Sequence, residues 1–207
     1  MSSSKLIVAV CGATGAQGGS VARYLLQHGG YTVRALTRSP SGDKAQALKS
    51  QGAEIAFCDL ANHEQVLNAL QGVYAVFGLT NFWEHGDEAE IKQGKILADA
   101  AKKCGVTHFI WSSLPHDELK PRHWESKVII ENYLKEIGVP LTCISAAYYF
   151  ENLWMFLPLK KNADGSYVLD WFFPSDVRLP SFAAEDYGAW VLTRIPRIIN
   201  YILTLVI

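Results

Sequence analysis

The chain holds 207 residues, 49% hydrophobic and 19% charged, which excludes a disordered or collagen-like polymer and suits one α/β unit with a sizeable core. A formal charge of −1 gives no broad basic field, so nucleic acid is not an expected direct ligand. The four cysteines form no C-x-x-C pair and have no neighbouring histidine to complete a zinc set, and three lie in or beside apolar strand-like runs as small hydrophobes, which fits a reducing compartment.

Residues 5–10 (KLIVAV) read as a strand buried on both faces, and residues 17–28 as a helix, with Val21, Ala22, Leu25 and Leu26 at helical spacing. Strands then follow at 31–37, 53–58, 73–79, 107–112 and 141–145. Helices are expected at 43–51, 63–70, 88–104 and 125–137. Such alternation means right-handed crossovers and a doubly wound parallel sheet of the Rossmann type over residues 1–146. After Ala146 the rhythm stops. Residues 147–207 are expected to form a small, incomplete cap on the substrate side, with one more helix at 183–192. The apolar ending at 198–207 is about half the length that spans a bilayer, and the serine-rich start precedes too short an apolar run for a signal peptide. No membrane association is expected, and the cytoplasm is the default location, with nuclear entry left open.

Between the first strand and the first helix stands GATGAQG, residues 12–18. In this context Gly12 permits a tight turn, Gly15 lets the backbone approach a pyrophosphate, and Gly18 allows close helix-to-sheet packing. The expected ligand is a dinucleotide. An NAD site would place Asp or Glu about twenty residues further on, whereas this chain has Arg38, a permanently cationic fork suited to a 2′-phosphate, so NADP is preferred. Lys44 is a possible second cation or a solvated helix-start lysine, and Arg34 is read as an edge ion pair. Asp59 and Leu60 end the third strand, where Asp59 either borders an adenine or caps the next helix. Thr80 and Asn81 lie at the end of the fourth strand, beside the pyrophosphate and the nicotinamide-side ribose or simply in a turn.

These residues resemble the NmrA-like family of atypical short-chain dehydrogenases/reductases. The likeness rests on GATGAQGG at 12–19, VRALTR at 33–38, GVYAVFGLTNFWE at 72–84, FIWSSL at 109–114, HWESK at 123–127, YYFEN at 148–152 and AAEDYGAW at 183–190. It implies a Rossmann domain with a smaller second region, NADP(H) binding, and either a redox sensor or transcriptional regulator that contacts a protein such as a transcription factor, or a reductase of a small carbonyl or quinone-like molecule. By the motif matches Gly12, Thr14, Gly15, Gln17 and Gly18 would carry the pyrophosphate and Arg38 the 2′-phosphate, while Lys127, Tyr148 and Asn152 would lie toward the nicotinamide.

Ordinary members of the wider superfamily use a Tyr followed four residues later by Lys. None of the nine tyrosines here has that spacing; the corresponding slot is His123 with Lys127. These two are the catalytic candidates, and without a phenol the expected emphasis is on binding. Ser112 and Ser113 close the fifth strand but complete no triad. Relatives continue well past residue 190, whereas RIPRIINYILTLVI (194–207) matches nothing in the pattern. It reads as a prematurely ended or misjoined frame that would leave apolar surface uncovered.

Overall fold

The computed structural model describes residues 5–115, 121–157, 159–169, 176, 178, 180–195 and 202–203. Strands β1 (Leu6–Val10), β2 (Tyr31–Thr37), β3 (Glu54–Phe57), β4 (Ala75–Gly78), β5 (His108–Ser113) and β6 (Leu141–Ser145) alternate with helices α1 (Ala16–His28), α2 (Asp43–Ser50), α3 (His63–Ala69), α4 (Phe82–Lys103) and α5 (Arg122–Glu136). The six strands are parallel and lie in the order β3-β2-β1-β4-β5-β6, with β11 (Ile202–Leu203) added beside β6. This is the doubly wound order, and the direction of winding reverses between β1 and β4.

Period-two alternation divides the core between the two faces of the sheet. Ala9, Cys11, Val76, Phe109 and Trp111 point to the layer containing Val66, Leu97, Ala101, Ile130 and Leu134 of α3, α4 and α5. Val8, Val10, Ala75, Phe77 and Ile110 point to Val21, Ala22 and Leu25 of α1 on the other face. Helices thus cover both faces, which is why the strands read as nearly unbroken apolar runs.

Beyond β6, β7 (Tyr148–Tyr149) leads into the short helix α6 (Asn152–Met155). The strands β8 (Lys160–Lys161) and β9 (Tyr167–Val168) form a small antiparallel hairpin, and β10 (Ser181–Phe182) pairs with β7. A 3-10 turn at Ala184–Asp186 opens α7 (Tyr187–Arg194). The sequence places this last helix in the cap region. In the structure Tyr187 and Val191 pack with α1 in the core of the main sheet, and Gly188 lies so close to α1 that a Cβ there would sit 2.4 Å from the Ser20 carbonyl oxygen. The aromatic residues 171–173 and most of the apolar ending lie outside the described residues. Among the described residues no helix is long and apolar enough to cross a membrane.

The largest departure from the expected elements is the start of α4, at Phe82 rather than residue 88. Asn81 caps the helix by accepting the Trp83 N–H on Oδ1 at 3.2 Å, and Gly86, at φ +80°, absorbs a break between this first turn and the long remainder.

Candidate functional site

Because the strands are parallel, Gly12, Arg38, Asp59, Thr80 and Ser113 all come to the carboxyl edge of the sheet. There the reversal between β1 and β4 opens a crevice. Gly12 adopts φ +61°, the left-handed conformation the turn requires. Gly18 is excluded from carrying a side chain by space: a Cβ would lie 2.3 Å from the Gly12 oxygen and 2.4 Å from that of Cys11. Gly15 caps α1 with no side-chain hydrogen bond, and α1 has no acidic residue in its first turn. The other Rossmann helices carry Asp43, Glu64, Glu84 and Glu125 there. The positive end of α1 thus carries no acid in its own first turn, as an anion cradle requires. Thr14, in the same loop, is half-buried.

Gln17 turns away from solvent. Its Nε2 donates to the Tyr149 hydroxyl, and its Oε1 accepts from Ser112 at 2.8 Å. The Tyr187 hydroxyl lies 3.3 Å from Ser112 Oγ and donates to the Ile144 carbonyl at 3.1 Å. A buried polar chain thus runs from the glycine loop to β7 and α7. The residue of β7 that meets the loop is Tyr149, which sequence reasoning missed, since the selected neighbour Tyr148 is half-buried with its backbone N–H on Pro180. Burial raises the Tyr149 pKa and keeps the phenol protonated. Asn152 sits at the start of α6, where its carbonyl accepts from Phe156.

Arg38 stands at the tip of β2, half exposed, with Nη1 2.5 Å from Glu84 Oε1. Arg34 is occupied as expected: it pairs with Glu54 across β2 and β3 at 3.0 Å and donates to the Ala69 and Gln71 carbonyls. Lys44 is exposed. Of the two readings of Asp59, capping fails in its direct form. Asp59 Oδ1 accepts the Ala61 N–H at 2.9 Å in a local turn, and the cap of α3 is Asn62, whose side chain accepts from Gln65. Leu60 packs at the margin of the core.

The other part of the site is buried under the crevice. Lys127 Nζ reaches the Thr80 carbonyl at 2.5 Å, Thr80 Oγ1 at 3.0 Å and Glu90 Oε1 at 2.9 Å, and lies 5.1 Å above the Trp111 ring. Glu90 also accepts from Thr80 and Ser126. Burial lowers the Lys127 pKa, and Glu90 opposes the shift. His123, four residues earlier, lies against Phe82, Trp83 and Trp124, and burial lowers its pKa so that the ring is neutral at pH 7. Thr80 and Asn81 thus take part in the lysine cluster and the α4 cap. Burial pushes the Cys11 thiol up to about 12 and Cys58 to about 11, which makes them inert packing residues.

Strand order, glycine turn and crevice together define a Rossmann-like α/β domain. The chain belongs to the NmrA-like family, whose sequence model matches residues 4–207, past the point where the sequence motifs stop. It is 40% identical over 159 residues to the NmrA-like family domain-containing oxidoreductase FrzB of a Cladobotryum species, covering 70% of this chain and 47% of that protein. Among solved structures it resembles NmrA, a negative transcriptional regulator, at 31% identity and TM-score 0.81, over 91% of this chain and 61% of that one. NmrA has been crystallised with NAD and with NADP. A third likeness is to the NADPH-dependent quinone oxidoreductase QOR2 of Escherichia coli, at 26% identity and TM-score 0.75, over 92% of this chain and 65% of that one. The chain spans about half to two thirds of the length of these relatives.

Proposed function

We propose that this chain binds NADP(H) as a nucleotide sensor, reporting occupancy to a protein partner of the transcription-factor kind, in the cytoplasm or nucleus, without efficient turnover. The α1 amides, with Gly12, Thr14, Gly15, Gln17 and Gly18, would hold the pyrophosphate and Arg38 the 2′-phosphate. Asp59 and Leu60 would border the adenine, while Thr80, Asn81, Lys127, Tyr148 and Asn152 would line the nicotinamide side. The observation that carries the sensor reading is the state of Lys127. Its ammonium is engaged by Glu90 and Thr80, and the position four residues before it presents an imidazole packed on Phe82 and Trp83 instead of a phenol. When bound, the coenzyme would supply a hydride. The sequence offers no Tyr four residues before a Lys to manage the accompanying proton.

A second reading is supported by His123 itself, a neutral imidazole with an N–H to give, together with the oxidoreductase names of the relatives. The chain would then be an NADPH-dependent reductase of a small carbonyl or quinone-like molecule, with His123 as proton donor and Lys127 orienting the ribose.

Calorimetric titration with NADPH and NADH, on the native chain and on Arg38→Ala, tests the shared part. The substitution is expected to lower the preference for NADPH about 10- to 100-fold, the worth of a charge-assisted contact. Equal affinities in the native chain overturn the NADP assignment. Tight binding without NADPH oxidation across carbonyls and quinones supports the sensor; turnover that Lys127→Ala abolishes while NADPH still binds supports the reductase.

A further inference from the structure

The guanidinium assigned above to the 2′-phosphate is already held by a carboxylate of the chain. Arg38 Nη1 and Glu84 Oε1 are 2.5 Å apart, with side chains 53% and 34% exposed, and Asp59 adds negative potential from the neighbouring strand end. Glu84 is delivered by the first turn of α4. That turn is bounded by the Asn81 cap on one side and the φ +80° break at Gly86 on the other, so it forms a short piece distinct from the long helix behind it. Its other side is held by Phe82 and Trp83, whose rings lie 5.8 Å and 5.1 Å from His123. The carboxylate is thus presented to Arg38 from a braced position.

We infer that Glu84 is a specificity-determining residue: its carboxylate competes from within the chain for the cation that reads the 2′-phosphate. A coenzyme bearing that phosphate must displace Glu84 or crowd a second anion against it, whereas one bearing a plain 2′-hydroxyl leaves the ion pair intact. The inference rests on the assignment of Arg38 to the 2′-phosphate. Its consequence is that the chain discriminates NADP from NAD less sharply than an unmasked arginine would. An exposed ion pair contributes little to stability, so the masking is a tuning effect of about two- to fivefold in affinity and not a block.

The test is titration of NADP+ and NAD+ against the native chain, Glu84→Gln and Arg38→Ala at one fixed ionic strength. Glu84→Gln is expected to bind NADP+ about two- to fivefold more tightly with NAD+ unchanged. NADP+ affinity that stays the same or falls, while Arg38→Ala still erases the preference, overturns the role of Glu84 and leaves the reading of Arg38 standing. A preference that survives Arg38→Ala removes the reading of Arg38 and the inference with it. Equal changes for both coenzymes also overturn the inference, since they report the α4 turn and not the 2′-position. Should Glu84→Gln fail to fold, Glu84→Asp provides the same comparison: it keeps the first-turn charge but withdraws the carboxylate by one methylene, and it too is expected to favour NADP+ alone.

Discussion

On the buried stripe of α4, where Leu97, Ala98 and Ala101 face the core, position 90 carries a carboxylate that is 1% exposed. Glu90 offsets the ammonium of Lys127, accepts from Thr80 and Ser126, and leaves the pair formally neutral. Breaking such a pair from one side strands a buried charge, at a cost of about 3 to 5 kcal/mol. Glu90→Gln is therefore expected to lose about that much stability in urea denaturation at neutral pH, and Lys127→Met added to it should recover much of the loss. The pH dependence of the single variant has a definite sign. Lys127 already titrates below its ordinary 10.5 in the folded chain, and without Glu90 it titrates lower still. The unfolded chain then holds the extra proton, so the deficit is full below the folded pKa and shrinks as pH rises toward 10.5. A deficit that grows with alkalinity would show that the lysine is not the stranded group. Lys127 was legible in the sequence from its place in HWESK. Glu90 was not singled out, although an acid four residues before Gly94 and seven before Leu97 on a helical stripe is a readable sign of a buried partner.

At the scale of elements, the legible parts were those fixed by local chemistry: β6 runs from Leu141 to Ser145 as its apolar run indicates, and β1 ends where Gly12 must turn. The start of α4 was not legible, because Asn81 reads equally as a loop residue and a cap, and Gly86 inside the first two turns looks like a stop signal. Tertiary contacts decide the matter. In the helical turn the rings of Phe82 and Trp83 meet His123 at 5.8 Å and 5.1 Å. Asn81→Ala removes the side-chain acceptor for the Trp83 N–H and is expected to cost about 1 kcal/mol, read as a lower melting temperature. Because the cap also fixes the turn that carries Glu84, the same variant should loosen the Arg38–Glu84 pair, whereas Asn62→Ala, which uncaps α3, should lower stability alone. A change in NADP+ affinity with Asn62→Ala as large as that with Asn81→Ala would sever this link between cap and crevice.

Across the whole molecule, the sheet places its chemistry at the carboxyl edge and its deeply buried His108 at the opposite one. His108 opens β5 at the far end of the strand from Ser113, 1% exposed, with Nε2 2.8 Å from Thr142 Oγ1. Burial lowers its pKa below the ordinary 6.5, as it does for His123 near the crevice. For both groups the unfolded chain takes up a proton more readily than the folded one. Folding stability is therefore undiminished above about pH 6.5 and falls as pH drops below it, continuing until the folded pKa values are passed. The stronger contributor should be His108, which is buried within the sheet, whereas His123 lies in a partly exposed aromatic cluster. The expected outcome is a urea midpoint that declines between pH 6.5 and pH 5 in the native chain, and a shallower decline in His108→Gln, whose amide can still meet the Thr142 hydroxyl but takes up no proton. NADP(H) affinity should follow a different curve, because His108 stands a full strand length from the glycine turn. Should His108→Gln leave the acid slope of stability unchanged while His123→Gln flattens it, the sensitivity belongs to the aromatic cluster beside the crevice and not to the far edge of the sheet.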